Sequence, residues 1–391
     1  MIRAVVLVGL AMLATACRED RPPTAATPTT PAPSSEAPPP TAPTAAQQEA
    51  HRVVFSDRAS AAYLLLVGSE DAQVPTRAEL AALAKEQLEG GGELDKLLEL
   101  VAQEPVRPAA GMQLDPEEQS RIRKLDLLGL TIDRLPVHGP EGAIPPEHLT
   151  ADVLVRALTE EERATLGGRA HALLLRAEYR NRDAVRGLRL LQTIVRLLAE
   201  QRHALIYDAD TNETVGVDVF TQRRLRAGVG NVAEQIAIIP FPDHRHGEGF
   251  ARLTTRGMRR FGSPELELDG LPDRPHILDR ATHLVAGLAY RMVREGEYDP
   301  SGYAVELDDV VEIDVGAVKQ AYAGQRVDLP TCDGCPQHTR VHLVERPTEP
   351  QDPPAQTVVR VVAPRPRSDA ADYDHPAWVA DAIGQLLGKA P

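Results

Sequence analysis

Residues 18–48 hold almost nothing that a folded core could use. The stretch is Pro, Thr and Ala with a few polar residues, and includes Pro22-Pro23 and Pro38-Pro39-Pro40. Such a segment cannot offset the entropy lost on ordering, and its prolines favour extended polyproline II chain. It is therefore expected to be a semi-rigid tether, with any fold confined to the roughly 340 residues that follow. That length is enough for two or three domains. Only 5 Phe, 1 Trp and 8 Tyr occur in 391 residues, so the core must be built from Leu, Val, Ile and Ala. The net charge of −14 argues against general nucleic-acid binding.

The seventeen residues before the tether have the anatomy of an export signal. A basic start at Arg3 precedes an apolar run from Ala4 to Leu13, then the small residues Ala14-Thr15-Ala16 and Cys17. The apolar run is well short of the 18 or more residues that span a bilayer as a helix, so cleavage is expected rather than a transmembrane anchor. Small residues leading directly into a cysteine resemble the lipobox of bacterial lipoproteins, with Ala14 standing where that pattern usually has Leu. The resemblance covers residues 1–17 alone. It implies diacylation of the Cys17 sulfur, a mature chain starting at Cys17, and a membrane partner reached through the lipid. Arg18, where an Asp would favour retention at the inner membrane, implies the outer membrane if the source has two. Ordinary secretion is the alternative.

From His51 onward, short apolar runs alternate with amphipathic stretches, and an α+β fold is expected. The expected organisation is a signal peptide at 1–16, a tether at 17–49, a mainly helical unit at 50–150, a central α+β unit at 151–298 and a β-rich unit at 299–391 carrying a Cys-x-x-Cys hairpin and a terminal helix. In the first unit, Ala61 to Val67 reads as a strand. Thr76 and Glu79 form a capping box for one helix, and Leu94, Leu97, Leu98 and Val101 stripe a second beyond Gly90-Gly91-Gly92. Asp115-Pro116 starts a third helix, with Ile122, Leu125 and Leu128 expected to face inward.

In the centre, strands at 170–178 and 204–207 flank a helix at 182–201 that buries Val185, Leu188, Leu191, Val195 and Leu198. Runs at 233–239 and 250–255 suggest a hairpin across the polar loop 242–249. A helix at 274–294 presents Leu278, Ala281, Val285, Leu288 and Met292. Strands at 340–345 and 357–363 and an Asp374-capped helix carrying Trp378, Val379, Ala382, Ile383, Leu386 and Leu387 complete the chain.

Three patterns carry candidate chemistry in the body. Cys332 and Cys335 enclose Asp333-Gly334, a turn sequence that brings the sulfurs together, and a structural disulfide is expected in an exported protein. The same pair with His338 and His342 makes a Cys₂His₂ zinc set, the one cofactor that the sequence suggests. On an extended strand those histidines would lie about 13 Å apart, which weighs against a shared ion. A redox cysteine would need a helix N-terminus after a strand. The loop Asp243-His244-Arg245-His246-Gly247-Glu248 offers donors for a divalent ion or simply a solvated tip. Between Arg176 and Arg260 there are 15 Arg against 10 Asp and Glu. Arg182, Arg186 and Arg189 among them are candidates for an anion-binding face or for pairing with nearby acids.

Two fragments mimic known loops only in part. Asp208-x-Asp210-x-Asn212 echoes half of a calcium loop but has Glu213 where Gly belongs and Val219 where Glu belongs. Gly228-x-Gly230-x-x-Ala233 lacks a clear preceding strand. No nucleophile elbow, phosphate loop or His-Glu-x-x-His motif occurs in the chain. The sequence therefore points to binding or scaffolding at the cell envelope, through an anionic envelope component or another envelope protein, without nucleic acid. An envelope enzyme with scattered catalytic residues, or a metal- or thiol-dependent activity at the Cys-x-x-Cys region, is the alternative.

Overall fold

A computed structural model describes residues 53–88, 90–104, 115–139, 141–226, 231–297, 306–307, 310–323, 325, 327–330, 332, 334–353 and 356–388. The stretches expected to be a signal segment and a tether, Cys17, and the glycines at 228 and 230 lie outside the described residues. From His51 to Pro391 the chain is one compact unit. It is α+β, with two principal sheets.

In chain order the elements are β1 (Val53–Val54), β2 (Arg58–Val67), α1 (Arg77–Gln87), α2 (Gly92–Ala102), α3 (Pro116–Arg123) and β3 (Leu127–Pro136). Three short helices follow, α4 (Pro146–Thr150), α5 (Asp152–Val155) and α6 (Glu160–Thr165), then β4 (His171–Arg180) and α7 (Ala184–Gln201). Next come β5 (Leu205–Asp208), β6 (Thr214–Val215), α8 (Val217–Phe220), α9 (Val232–Gln235), β7 (Ala237–Pro242), β8 (Phe250–Arg256) and β9 (Glu265–Pro272). The chain closes with α10 (Pro275–Glu297), β10 (Glu306–Leu307), β11 (Val310–Asp314), α11 (Val315–Ala321), β12 (His338–Arg346), β13 (Val358–Val362) and α12 (His375–Leu387).

The five-stranded sheet runs β3-β4-β2-β5-β6, antiparallel throughout. The six-stranded sheet runs β11-β12-β13-β9-β8-β7, in which β13 and β9 pair in parallel and the other neighbours are antiparallel. These sheets ignore the unit boundaries expected at 150 and 298. Strands β2 and β3 come from the stretch expected to be mainly helical, yet they share a sheet with β4, and β9 pairs with β13 from the far end of the chain. Pairing is nonlocal, so boundaries read along the sequence do not survive it.

Local signals fared better. The Thr76 capping box forms, Asp115 accepts from the Glu118 N–H at 2.7 Å with Pro116 in the first turn, and Asp374 caps α12 at the Ala377 N–H. Helix α7 buries Leu188, Leu191, Val195 and Leu198 against β2 and β4. Two expectations need correction. Leu125 lies beyond α3, which ends at Arg123, and Leu128 belongs to β3. Residues 233–235 are helical, and β7 starts only at Ala237.

The main core joins α7, α10 and α12 to both sheets, and a smaller cluster, Leu64, Leu66, Val137, Ile144, Leu149 and others, lies between the five-stranded sheet and α4–α6. Among the described residues no helix is long and apolar enough to cross a membrane.

Candidate functional site

Strand β9 reads Glu265-Leu266-Glu267-Leu268-Asp269. Alternation at period two sends Leu266 and Leu268 to the core under α10 and α12, and the three acids to the opposite face. That face is not solvated, for all three acids are 0% exposed. Burying an unpaired carboxylate is prohibitively costly, so each must find donors. Arginines on β8, β12, β13 and the 243–249 loop supply them for Glu267 and Asp269, and a hydroxyl with two backbone N–H groups does so for Glu265.

Glu267 accepts from Arg252 on β8, Arg346 on β12 and Arg245 in the 243–249 loop, each at 2.7 Å. Asp269 takes Arg360 of β13 at 2.8 and 2.9 Å through Nε and Arg245 at 3.1 Å. Glu265 accepts from Thr255 Oγ and from the Gly257 and Met258 N–H groups. Burial pushes the Glu265 carboxyl up, and its hydrogen bonds offset this only in part. The loop after β12 closes over the face, where Glu349 binds Arg245 and Arg252 and Asp352 binds Arg346. Phe241 of β7 lies beneath the guanidinium groups of Arg252 and Arg256 at 5.9 and 5.8 Å.

At one end of this strip the 243–249 loop meets the first turn of α12. Asp243 (2% exposed), His246 and Asp269 bring their donor atoms within 4.8 Å of one another, forming a group that could hold a metal ion. His246 Nδ1 is 2.7 Å from Asp243 Oδ2 and 4.0 Å from Asp269 Oδ2. Asp243 also accepts from the Gly270 and Arg245 N–H groups at 2.8 and 3.0 Å. Burial alone would raise both aspartates. The N–H donors and His246 outweigh it at Asp243, and His375 with Arg360 outweighs it at Asp269, so both lie below the usual carboxylate range, Asp269 far below.

His375 sits with Nε2 2.8 Å from Asp269 Oδ1 and Nδ1 2.7 Å from the Tyr373 hydroxyl, stacks on His246 at 5.4 Å, and lies 5.5 Å from the Trp378 ring. This run of contacts from Asp269 through His375 to Tyr373 fastens α12 to β9. Burial pushes the Tyr373 hydroxyl up, so the phenol stays protonated near neutrality.

Of the sequence-derived loop, Asp243 and His246 therefore turn inward, Arg245 neutralises the strip, and His244 and Glu248 remain exposed. Asp269, His375 and Arg360 were missed. The signal that could have found the strand is the Glu-Leu-Glu-Leu-Asp alternation, but it reads as an amphipathic strand with a wet polar face. Nothing local to it announces arginines 15 to 91 residues away.

Cys332 and Cys335 stand at disulfide distance, with their Cα atoms 5.8 Å apart. The loop packs against the end of α12, where a Cβ at Gly388 would meet Cys332 at 2.9 Å. A bond between the two cysteines would consume both sulfurs of the Cys₂His₂ set. On β12 His338 is exposed and His342 buried, so the set is not gathered round a point, and the only metal-capable group among the described residues is the one at Asp243.

Arg182 binds Asp126 and Arg189 binds Glu93, while Arg186 is exposed. The arginine excess of 176–260 is largely met by acids from outside that stretch, among them Asp57, Glu93, Asp126, Glu267, Asp269 and Glu349. The uneven charge along the sequence is in good part internal complementarity.

The calcium-like fragment is likewise taken by arginine. Asp208 and Asp210 enclose Arg260, which is 0% exposed and also donates to Tyr63 and the Gln235 carbonyl. Arg224 and Arg259 complete the set. Burial alone would raise Asp208, yet Arg260 and Arg224 hold it below the usual range. These groups lie at the meeting of the two sheets and act as a strut.

Compared with known proteins, the chain matches no family model, no curated protein and no solved structure.

Proposed function

We propose that the chain is an exported lipoprotein of the cell envelope, anchored through Cys17, whose α+β body is a binding or scaffolding module held away from the membrane by the Pro-rich tether. The observation that carries this reading is the order of the first 48 residues: basic start, short apolar run, small residues, cysteine, then a segment with no core-forming side chains. The Cys332–Cys335 pair, at disulfide distance, supports it, because disulfide bonds persist in oxidising, exported compartments. With two membranes in the source, Arg18 favours the outer one. The partner is an anionic envelope component or another envelope protein, met by the body's exposed charged surface.

Two acyl chains on one residue, with a third on the freed amine, bind membranes stably where one chain is marginal, at about 0.8 kcal/mol per buried methylene. The test is fractionation of cells expressing the chain or its Cys17→Ser variant, with intact-mass analysis of the mature N-terminus. The wild type should pellet with membranes after a high-salt wash and begin at a lipidated Cys17, and the variant should become soluble. A wild-type chain that is exported but soluble and unlipidated overturns the anchor and leaves plain secretion.

A further inference from the structure

In the strip of buried charge on the six-stranded sheet, arginines match Glu267 and Asp269, while Glu265 rests on the Thr255 hydroxyl and two backbone N–H groups. Glu267 and Asp269 each touch at least two guanidinium groups. Asp243 is as buried as they are, but its partners are two backbone N–H groups and His246. It is a buried anion without a fixed cation, and it shares a half-buried imidazole with a second buried aspartate. We propose that Asp243, His246 and Asp269 form a site for a divalent transition-metal ion of the Zn²⁺ class.

The distances suit it. Four-coordinate ions of this class hold N and O donors at about 2.0–2.2 Å, so adjacent donors on a tetrahedron lie about 3.4 Å apart. His246 Nδ1 stands 2.7 and 4.0 Å from the two aspartate oxygens, on either side of that value. The ion takes the place of the proton between His246 and Asp243, and the loop adjusts by well under 1 Å on each side.

Asp269 Oδ2 already carries Arg360, at 2.8 Å through Nε and 2.7 Å through a terminal nitrogen, and Arg245 at 3.1 Å, so an ion bound there displaces both guanidinium groups from that oxygen. Arg360 keeps Oδ1 at 2.9 Å, with His375 against the same oxygen. Arg245 retains Glu267 and Glu349, both at 2.7–2.8 Å. Mixed imidazole and carboxylate donors favour Zn²⁺, Mn²⁺, Co²⁺ or Ni²⁺ over Ca²⁺ and Mg²⁺, which prefer all-oxygen sites. His246, with 17% of its side chain exposed, provides the way in. Three protein donors leave a fourth position open to water or an exchangeable ligand, as in sites that do more than hold a fold together. The inference does not depend on the lipid anchor.

The chain's single tryptophan makes the test direct. Trp378 lies 5.5 Å from His375, whose ring lies 5.4 Å from that of His246, so a paramagnetic ion in the site sits close enough to quench it. The full mature chain, purified in detergent and freed of metal, is titrated with Co²⁺ while Trp378 emission and visible absorbance are followed. Expected are saturable quenching at one equivalent and competition by Zn²⁺ but not by Mg²⁺ at the same concentration. Affinity should fall at least tenfold in both His246→Ala and Asp243→Asn, with no change in His338→Ala. His246→Ala alters a partly exposed loop residue and keeps the test valid if Asp243→Asn does not fold. Quenching that does not saturate, or affinity unchanged in folded His246→Ala, overturns the site. Binding abolished by His338→Ala instead would move the metal to the Cys-x-x-Cys region.

Discussion

Replacing Arg260 with Met removes the cation on which two buried aspartates converge. Arg260 donates to Asp208 at 2.7 and 3.3 Å, to Asp210 at 2.7 and 3.2 Å and to the Gln235 carbonyl at 2.7 Å, with no exposed surface. Removing one partner of a buried ion pair costs about 3–5 kcal/mol, because the remaining charge stays buried. Here part of the compensation survives. Asp208 keeps Arg224 and the N–H groups of Asp210 and Thr211, and Asp210 keeps Arg259. The expected loss therefore falls near the lower end, about 3 kcal/mol. At ~2 °C per kcal/mol for a large domain, the thermal midpoint should drop by about 6 °C, measured by far-UV circular dichroism at pH 7. Asp210→Asn and the double variant complete a cycle. Because the groups touch, the double variant should cost less than the two singles together by about 1–3 kcal/mol. A shift below ~2 °C, or additivity within about 0.5 kcal/mol, would refute the strut.

Gly187 of α7 gives a prediction whose sign opposes helix propensity. A Cβ there would run into the Tyr179 ring, which is fully buried and tied by its hydroxyl to the Arg260 carbonyl. Gly187→Ala should thus lose about 1–2 kcal/mol in the same unfolding assay despite the ~1 kcal/mol gained from propensity; a stabilised variant would contradict the close approach. His283 is held below its ordinary pKa by burial, outweighing the opposite pull of Asp279. A depressed histidine binds protons more readily when unfolded, so its contribution is full above about pH 6.5 and is lost as pH falls through the folded value. His283→Asn should flatten the decline in the urea midpoint between pH 7.5 and 5.5, and an unchanged slope would exclude His283 as its source. Cys332→Ala with Cys335→Ala should still fold, with at most about 2 kcal/mol lost, since the four-residue ring restricts the unfolded chain little; failure to fold would show that the loop does more than brace α12.

What the sequence settled by itself is what neighbouring residues settle. Caps at Thr76, Asp115 and Asp374, the stripe of α7 and the turn between Cys332 and Cys335 depend on contacts three or four residues away. They were legible for that reason, as was the α+β class. The partition into sheets was not, because β2 finds β4 across more than a hundred residues and β9 finds β13 across about ninety, and no local pattern encodes the choice. The same holds for charge. Glu267 and Asp269 look like a solvated strand face, and Arg182 and Arg189 like an anion-binding one, until the fold sets each beside a partner distant in sequence. Only the tertiary structure decides which side chains lose their water, and that loss is what makes pairing obligatory for the buried acids of β9 and leaves Asp243 with His246 as its side-chain partner.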